Sequence, residues 1–389
     1  MKRLRNLDYY IFLPYIIMCT IGVIMVYSAS ANIGSQNGGS PMSYLIKQSL
    51  FVVISLVLVA VVTAMNLNKF KNKRALSIIE IGFWVVFVCL LFFGSKVNGA
   101  AGWINLGFIN IQPAEFFKFF LIIRVANSVD TLEDQIILSA SDWWVAMRGT
   151  IIRVMLSILL ILAQPDSGGA AINFMIFFVL MLTSGISFKR ATEVLGGFIA
   201  LVFVGVNFVL IPLSHTSFAT HSYQIQRIVA FTDPFGHAQG TGQQLVNSYY
   251  AISNGGLFGV GLGNSIQKTG YLPEPNTDFI MSVLTEELGV STALIIMGLL
   301  TLIVARTVLI GIRSTNTFNS LICYGVATYL TIQTLFNIGG VIGLLPITGV
   351  TFPFISYGGS SILTLSLCIG LILNISGRQK EERLQAGRE

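Results

Sequence analysis

The sequence is dominated by apolar runs close to the length that a bilayer requires. They fall at about 9–28, 45–64, 76–94, 148–163, 168–184, 190–213, 279–305, 317–337 and 360–376, with a shorter one at 114–127. Only 10% of the 389 residues are charged, against about a quarter in a soluble domain, and the mean hydropathy is +0.77. The first run lacks a small-residue cleavage site and is followed by further runs, so it is expected to stay as a span and not to act as a cleaved signal peptide. The expectation is an all-α polytopic membrane protein, a single integral membrane domain over 1–389 with ten transmembrane helices.

Orientation follows from the basic residues, which hold the loops that carry them on the cytoplasmic side. Lys2, Arg3 and Arg5 precede the first run, Lys69, Lys71, Lys73 and Arg74 follow the second, and Lys189 and Arg190 separate the sixth from the seventh. Arg306 and Arg313 follow the eighth, and Arg378, Lys380, Arg383 and Arg388 form the tail. The alternate loops hold only Lys96, Arg227 and Lys268, with Lys47 at a rim. Both termini are therefore expected in the cytoplasm, with a large extracellular loop at 214–277 between helices 7 and 8. The net charge of +6 is read as topology; bases scattered over several loops do not suit nucleic acid, and membrane lipid is the surrounding partner. Tyr9 and Tyr10 stand where aromatic side chains favour the headgroup region.

Cys19, Cys89, Cys323 and Cys368 lie within apolar runs, without metal spacing, and read as packing residues. His215, His221 and His237 lie in the long outer loop and read as polar loop residues. Residues 128–147, with Asp130, Glu133, Asp134, Asp142 and two tryptophans, read as a cytoplasmic amphipathic segment. The outer loop from Asn98 to Lys118 alternates glycine with apolar residues suited to dipping into the interface. Pro113 then fits the first turn of a helix, and Glu115 sits where the helix dipole favours an anion. Glu115 and Lys118 share a helical face, either as a structural ion pair or as part of a substrate groove. Asp166, in the tight turn Gln164-Pro-Asp-Ser-Gly-Gly, is either a turn former or a functional acid at the outer interface.

Segment 214–277 is longer than ordinary loops, and 226–236 and 245–259 read as short amphipathic helices on the outer face, forming a lid. The last outer loop, Asn337 to Ser361, is apolar yet broken by Gly and Pro. Such backbone is tolerated at membrane depth only when buried in protein or lining a cavity, so a re-entrant element is expected between helices 9 and 10.

The stretch from Tyr271 to Gly289 places Asp278, Glu286 and Glu287 at and below the mouth of a span, where acids are costly and mark function. Counting helical rotation from Asp278 puts Thr285 beneath it, Glu286 about 80° away in the same cavity, and Glu287 on the opposite face. Asp278 and Glu286 would then stand about 12 Å apart along the axis, too far for a two-carboxylate hydrolase pair. A single, partly desolvated Asp278 fits a general base, with helix N-capping as the plainer reading.

Five motifs, Gln112-Pro-Ala-Glu-Phe, Gln164-Pro-Asp, Leu272-Pro-Glu-Pro-Asn-Thr-Asp-Phe-Ile, Glu286-Glu-Leu-Gly and Thr348-Gly-Val-Thr-Phe-Pro-Phe-Ile-Ser-Tyr-Gly-Gly-Ser-Ser, occur in this order across almost the whole chain. Together they resemble the SEDS family of shape, elongation, division and sporulation proteins. Gly263-Asn-Ser-Ile-Gln-Lys268 and Thr351-Phe-Pro-Phe-Ile-Ser-Tyr357 resemble its division members more than its elongation members. The resemblance implies a glycosyltransferase that polymerises lipid II at the outer membrane face, at the division septum, with a class B penicillin-binding transpeptidase and other division proteins as partners. It implies Asp278 as the essential acid. Glu115, Lys118, Asp166, Arg227, Lys268, Glu286, Ser356 and Tyr357 are the expected substrate-binding residues. Lys118, Arg227, Lys268 or a divalent cation (Mg or Mn) is available to stabilise the diphosphate leaving group. The same acids and broken segments also suit a flippase, with Glu286 below Asp278 as a proton relay, and a non-catalytic division scaffold remains the third reading.

Overall fold

The computed structural model describes residues 6–31, 40–97, 100–107, 109–136, 140–214 and 223–386. His215, His221, Lys2, Arg3, Arg5, Arg388 and most of the first outer loop lie outside them. Twelve helices account for most of the described chain: α1 Tyr9–Ala29, α2 Pro41–Ala64, α3 Lys73–Phe93, α4 Pro113–Ile136, α5 Ala140–Leu162, α6 Ser167–Leu182, α7 Phe188–Val204, α8 Tyr223–Thr232, α9 Gln243–Gly255, α10 Ile280–Ile312, α11 Thr317–Val341 and α12 Gly359–Ala386. After Val204, α7 continues through a π-helical turn, Gly205–Leu210, into a last turn, Ile211–Ser214. Among the described residues, eight helices are long and apolar enough to cross a membrane. Of the remaining two apolar runs, one is α6, apolar but 16 residues long, and the other is buried within α4. The chain is a multi-pass membrane protein.

Of the acidic stretch 128–147, the residues up to Ile136 are the end of α4 and those from Ala140 the start of α5, and Asp130 is held by Lys71 at 2.8 Å. The outer loop before α4 carries secondary structure of its own. It forms a small antiparallel sheet of β1 Ser95–Val97, β2 Ala100–Asn105 and β3 Asn110–Ile111, in that order, with Ile104 opposite Ile111. Gly107, at φ 79°, makes the turn between β2 and β3, and Asn105 Oδ1 accepts from its N–H. The period-two pattern was masked by glycine and alanine, which have weak strand preference.

α12 is the most deeply enclosed helix and lies along α2; α1 packs on α10, and α11 packs on α4, α6 and α10. Phe83 and Phe87 of α3 meet Phe117 and Phe120 of α4 in ring contacts of 5.3–5.5 Å. Buried polar pairs tie the helices together: Arg124 reaches Glu80 at 3.2 Å, Trp84 donates to Ser157, and Tyr15 bonds Ser366. Outward faces are apolar, and α7 buries no residue between Phe188 and Val204. Such a surface suits lipid and not water.

α10 is broken. At Gly289 the backbone has φ 83° and ψ 166°, a conformation reserved in practice for glycine. The loop after α9 fills the break. The N–H groups of Val260 and Gly261 donate to the carbonyls of Glu286 and Glu287, while those of Val290 and Ser291 donate to Gly256 and Leu257. A Cβ on Gly289 would sit 2.3 Å from the Leu257 carbonyl oxygen. The gap in the helix thus clamps the long outer loop.

Candidate active site

At one end of the bundle the turn before α10 carries Asp278 into a cavity of about 290 Å³. The chain reaches it by a sequence of tight turns. Glu274, between two prolines, adopts φ 53°, and its carboxylate accepts from Thr277 Oγ1 at 3.0 Å. α10 begins only at Ile280, so Asp278 belongs to the turn and is not a residue of that helix.

The backbone of this turn is fixed from the irregular segment between α11 and α12. Asn337 donates from Nδ2 to the carbonyls of both Asp278, at 2.7 Å, and Val350, at 2.8 Å. Ser356 Oγ donates to the Thr277 carbonyl at 2.7 Å, and the Tyr357 N–H donates to that of Asn276 at 2.8 Å. Phe352, Phe354 and Ile355 anchor the segment in the core, so its non-helical backbone is enclosed by protein.

Asp278 itself is half-buried and opens on the cavity. Burial, reinforced by the nearby Glu274 carboxylate, pushes its pKa up to about 7; Arg227 and the Thr277 hydroxyl oppose the rise. Gly349, at φ 75°, sits between the two charges: a Cβ there would lie 3.4 Å from both Asp278 Oδ2 and an Arg227 terminal nitrogen. A carboxyl group with a pKa near neutrality exchanges protons readily at working pH.

Of the residues expected from sequence, Glu115, Lys118, Asp166, Arg227 and Tyr357 line this cavity with Asp278. Lys118 is fully buried and reaches Glu115 at 2.5 Å; Tyr329 donates to the other Glu115 oxygen at 3.1 Å. The Glu115–Lys118 pair is thus an ion pair in the wall of the cavity. Asp166 N-caps α6 through Gly169 N–H at 2.7 Å and accepts from Gln112 at 2.8 Å, and burial raises its pKa. Burial likewise raises that of Tyr357, with Tyr44 next to it adding to the effect.

Three expected residues are elsewhere. Ser356 holds the Asp278 turn through its hydroxyl and does not line the cavity. Lys268 pairs with Glu287 at 2.6 Å and with Ser28 at 3.0 Å, under the loop. Glu286 does not share the cavity of Asp278, because the rotation reckoned from Asp278 fails once the helix starts two residues later. Its carboxylate accepts instead from Asn254 Nδ2, the Ser265 hydroxyl and the N–H groups of Ile266 and Gln267. The lining also includes Lys47, Trp103 and Glu274, which the sequence did not single out; Glu274 lay within the quoted motif, and Lys47 carried only the signal of a charge at a rim. Among the described residues no three His, Cys, Asp or Glu side chains converge as a metal site. His237 is an exposed loop residue.

The architecture has solved counterparts. A chain of a structure described as "Structural coordination of polymerization and crosslinking by a peptidoglycan synthase complex" superposes with a TM-score of 0.72 at 24% identity, covering 95% of this chain and 97% of that one. The rod shape determining protein RodA of Thermus thermophilus superposes with a TM-score of 0.63 at 23% identity, covering 95% and 96%. Among curated proteins, the probable peptidoglycan glycosyltransferase FtsW of Lactococcus lactis is 37% identical over 97% of this chain and 94% of its own length. The protein of the same name from Bacillus subtilis is 35% identical over 96% and 92%. Residues 9–381 match the sequence model described as "Cell cycle protein", and the chain belongs to that family, the family of FtsW, RodA and SpoVE.

Proposed function

We propose that the chain is a peptidoglycan glycosyltransferase that polymerises lipid II, with Asp278 as the general base. The observation that carries this reading is the placement of Asp278: a carboxyl group tuned to about 7, at a cavity whose walls also carry Arg227, Lys47 and Lys118. Asp278 takes the proton from the acceptor sugar hydroxyl. The oxygen then attacks the anomeric carbon of the lipid-linked donor from the face opposite the leaving group, forming the new glycosidic C–O bond. The bond to the diphosphate breaks with inversion, and undecaprenyl diphosphate leaves with the electron pair. Arg227 and Lys47 are placed to favour that anion, whereas Lys268 is spent on Glu287.

In the membrane, all ten long helices cross, both termini are cytoplasmic, and the cavity faces outward with segment 342–358 re-entrant beside it. Arg306, Arg313, Lys380 and Arg383 at the far ends of α10 and α12 support this orientation. A class B penicillin-binding transpeptidase is the proposed partner, and septal synthesis the proposed role, supported by the division-type motif ending at Lys268 and by the FtsW names of the curated relatives. The flippase reading loses its relay, since Glu286 is saturated by four donors away from the cavity. The test is the purified protein with its transpeptidase partner and lipid II in detergent, where no second compartment exists. Glycan polymer is the expected product; its absence with both proteins intact would sink the enzyme reading.

A further inference from the structure

The end of the bundle opposite Asp278 holds a second cavity, of about 360 Å³, that the proposed reaction does not use. Three elements meet there: the chain entering α1, the last turns of α10 and the last turns of α12. Its polar lining is lopsided. Arg306, Arg313, Lys380 and Arg383 face it against the single carboxylate of Asp8.

Asp8 is already fully engaged. It accepts from Arg306 Nε at 2.8 Å, from Ser376 at 2.9 Å and from the Tyr10 N–H that it caps. These bonds draw α1, α10 and α12 together and form the floor of the cavity. Gln379, donating to the Ile310 carbonyl at 2.9 Å, pins α12 to α10 beside it. Among the described residues Arg306 alone of the four cations has an ion pair, so Arg313, Lys380 and Arg383 bring an excess of positive charge to the walls. An adjoining recess of about 290 Å³ shares Arg313, Gln379 and Arg383 and is also lined by Arg378 and Glu382.

The rim shows which medium supplies the counter-charge. Tyr9 and Tyr10 are exposed, at 68% and 63%, on a helix whose outward face is otherwise apolar, and the Arg306 guanidinium lies over the Tyr10 ring at 5.5 Å. Exposed tyrosines at the end of an apolar helix mark the headgroup level, and basic pockets between helices at that level suit lipid phosphates. We propose that this cavity is a binding site for the phosphodiester headgroup of an anionic phospholipid, with Arg313, Lys380 and Arg383 as the recognising cations and the Asp8–Arg306 pair as the structural floor. Occupancy bridges α10, which begins beside the catalytic turn, and α12, whose first turn lines the active-site cavity. It therefore stabilises the pair as a unit.

The test is the full chain in nanodiscs of phosphatidylcholine alone, with phosphatidylglycerol added, or with inorganic phosphate in the buffer. Thermal melting is read in all three, and retained lipid by native mass spectrometry. Phosphatidylglycerol is expected to raise the melting temperature and to remain bound. In Arg313→Gln/Lys380→Gln/Arg383→Gln its affinity is expected to fall on the order of a hundred-fold, from the summed loss of three basic residues at an anionic surface. All three side chains are exposed, so the variant is expected to melt like the wild type in phosphatidylcholine alone; should it not, Lys380→Gln and Arg383→Gln are read singly. Equal stabilisation of wild type and variants by phosphatidylglycerol, or none, overturns the proposal. The same shift from inorganic phosphate alone overturns the lipid reading in favour of a soluble phosphate compound.

Discussion

Replacing Lys268 by Met isolates a buried charge pair that ties the long outer loop to α10. Glu287 is fully buried and Lys268 nearly so; their 2.6 Å contact is shared by Ser28, whose hydroxyl lies 2.7 and 2.8 Å from the two carboxylate oxygens. In Lys268→Met, Glu287 keeps one hydroxyl and loses its only ion-pair partner among the described residues. Breaking a buried pair on one side costs about 3–5 kcal/mol, whereas replacing both partners by uncharged groups is often close to neutral. With an unfolding entropy of about 2.1 cal/mol/K per residue, that loss corresponds to a fall in melting temperature of roughly 5 °C. The assay is thermal unfolding of purified wild type, Lys268→Met, Glu287→Gln and the double variant in one detergent, analysed as a double-mutant cycle. The single variants are expected to melt lower and the double variant to recover most of the difference. A Lys268→Met protein that melts with the wild type, or a double variant no better than the worse single one, would refute the placement of this pair.

The rate should rise with pH through about 7, because the base form of Asp278 is the carboxylate and its raised pKa leaves it protonated below that point. Glu274→Gln removes the neighbouring charge that lifts this pKa, so the acid limb should move to lower pH; a limb that stays put would show that Asp278 does not set it. Gly289→Ala should destabilise by at least about 1–3 kcal/mol from its backbone conformation alone, with the close Leu257 carbonyl adding to this, while Gly298→Ala, with open space around it in the same helix, should be harmless. Melting of the two variants side by side decides. Asn337→Leu removes the amide that ties the Asp278 turn to Val350. It should lower kcat with little effect on lipid II binding, and an unchanged kcat would count against the clamp.

The helical architecture was legible because the apolar runs are long and the bilayer fixes their meaning; all ten became helices. Asp278, Glu115, Asp166 and Tyr357 were picked out by the motifs, and they line one cavity together with Lys118 and Arg227 although they come from distant parts of the chain. What sequence could not supply was where helices start and break. Helical rotation reckoned from Asp278 placed Glu286 in the cavity, but the turn ends at Phe279, and the interruption at Gly289 let a neighbouring loop take the free backbone groups. Glu286 and Lys268 therefore serve the loop, a role set by long-range contacts with Asn254, Ser265 and Ser28 that no local pattern reveals. The small sheet at 95–111 was hidden for the opposite reason: its strands are short, and their pairing depends on Gly107 and not on a strong alternation.

The most direct measurement compares wild type with Asp278→Asn, each purified with its transpeptidase partner and supplied with lipid II in detergent, and reads glycan polymer. The substitution keeps the size of the side chain and leaves the Asn337 bond to the backbone carbonyl intact, so abundance, melting temperature and lipid II binding should be retained. Polymer should fall by about 10²–10⁴-fold, the range contributed by a positioned general base. A folded Asp278→Asn protein that polymerises at the wild-type rate would contradict the assignment of Asp278 as the base.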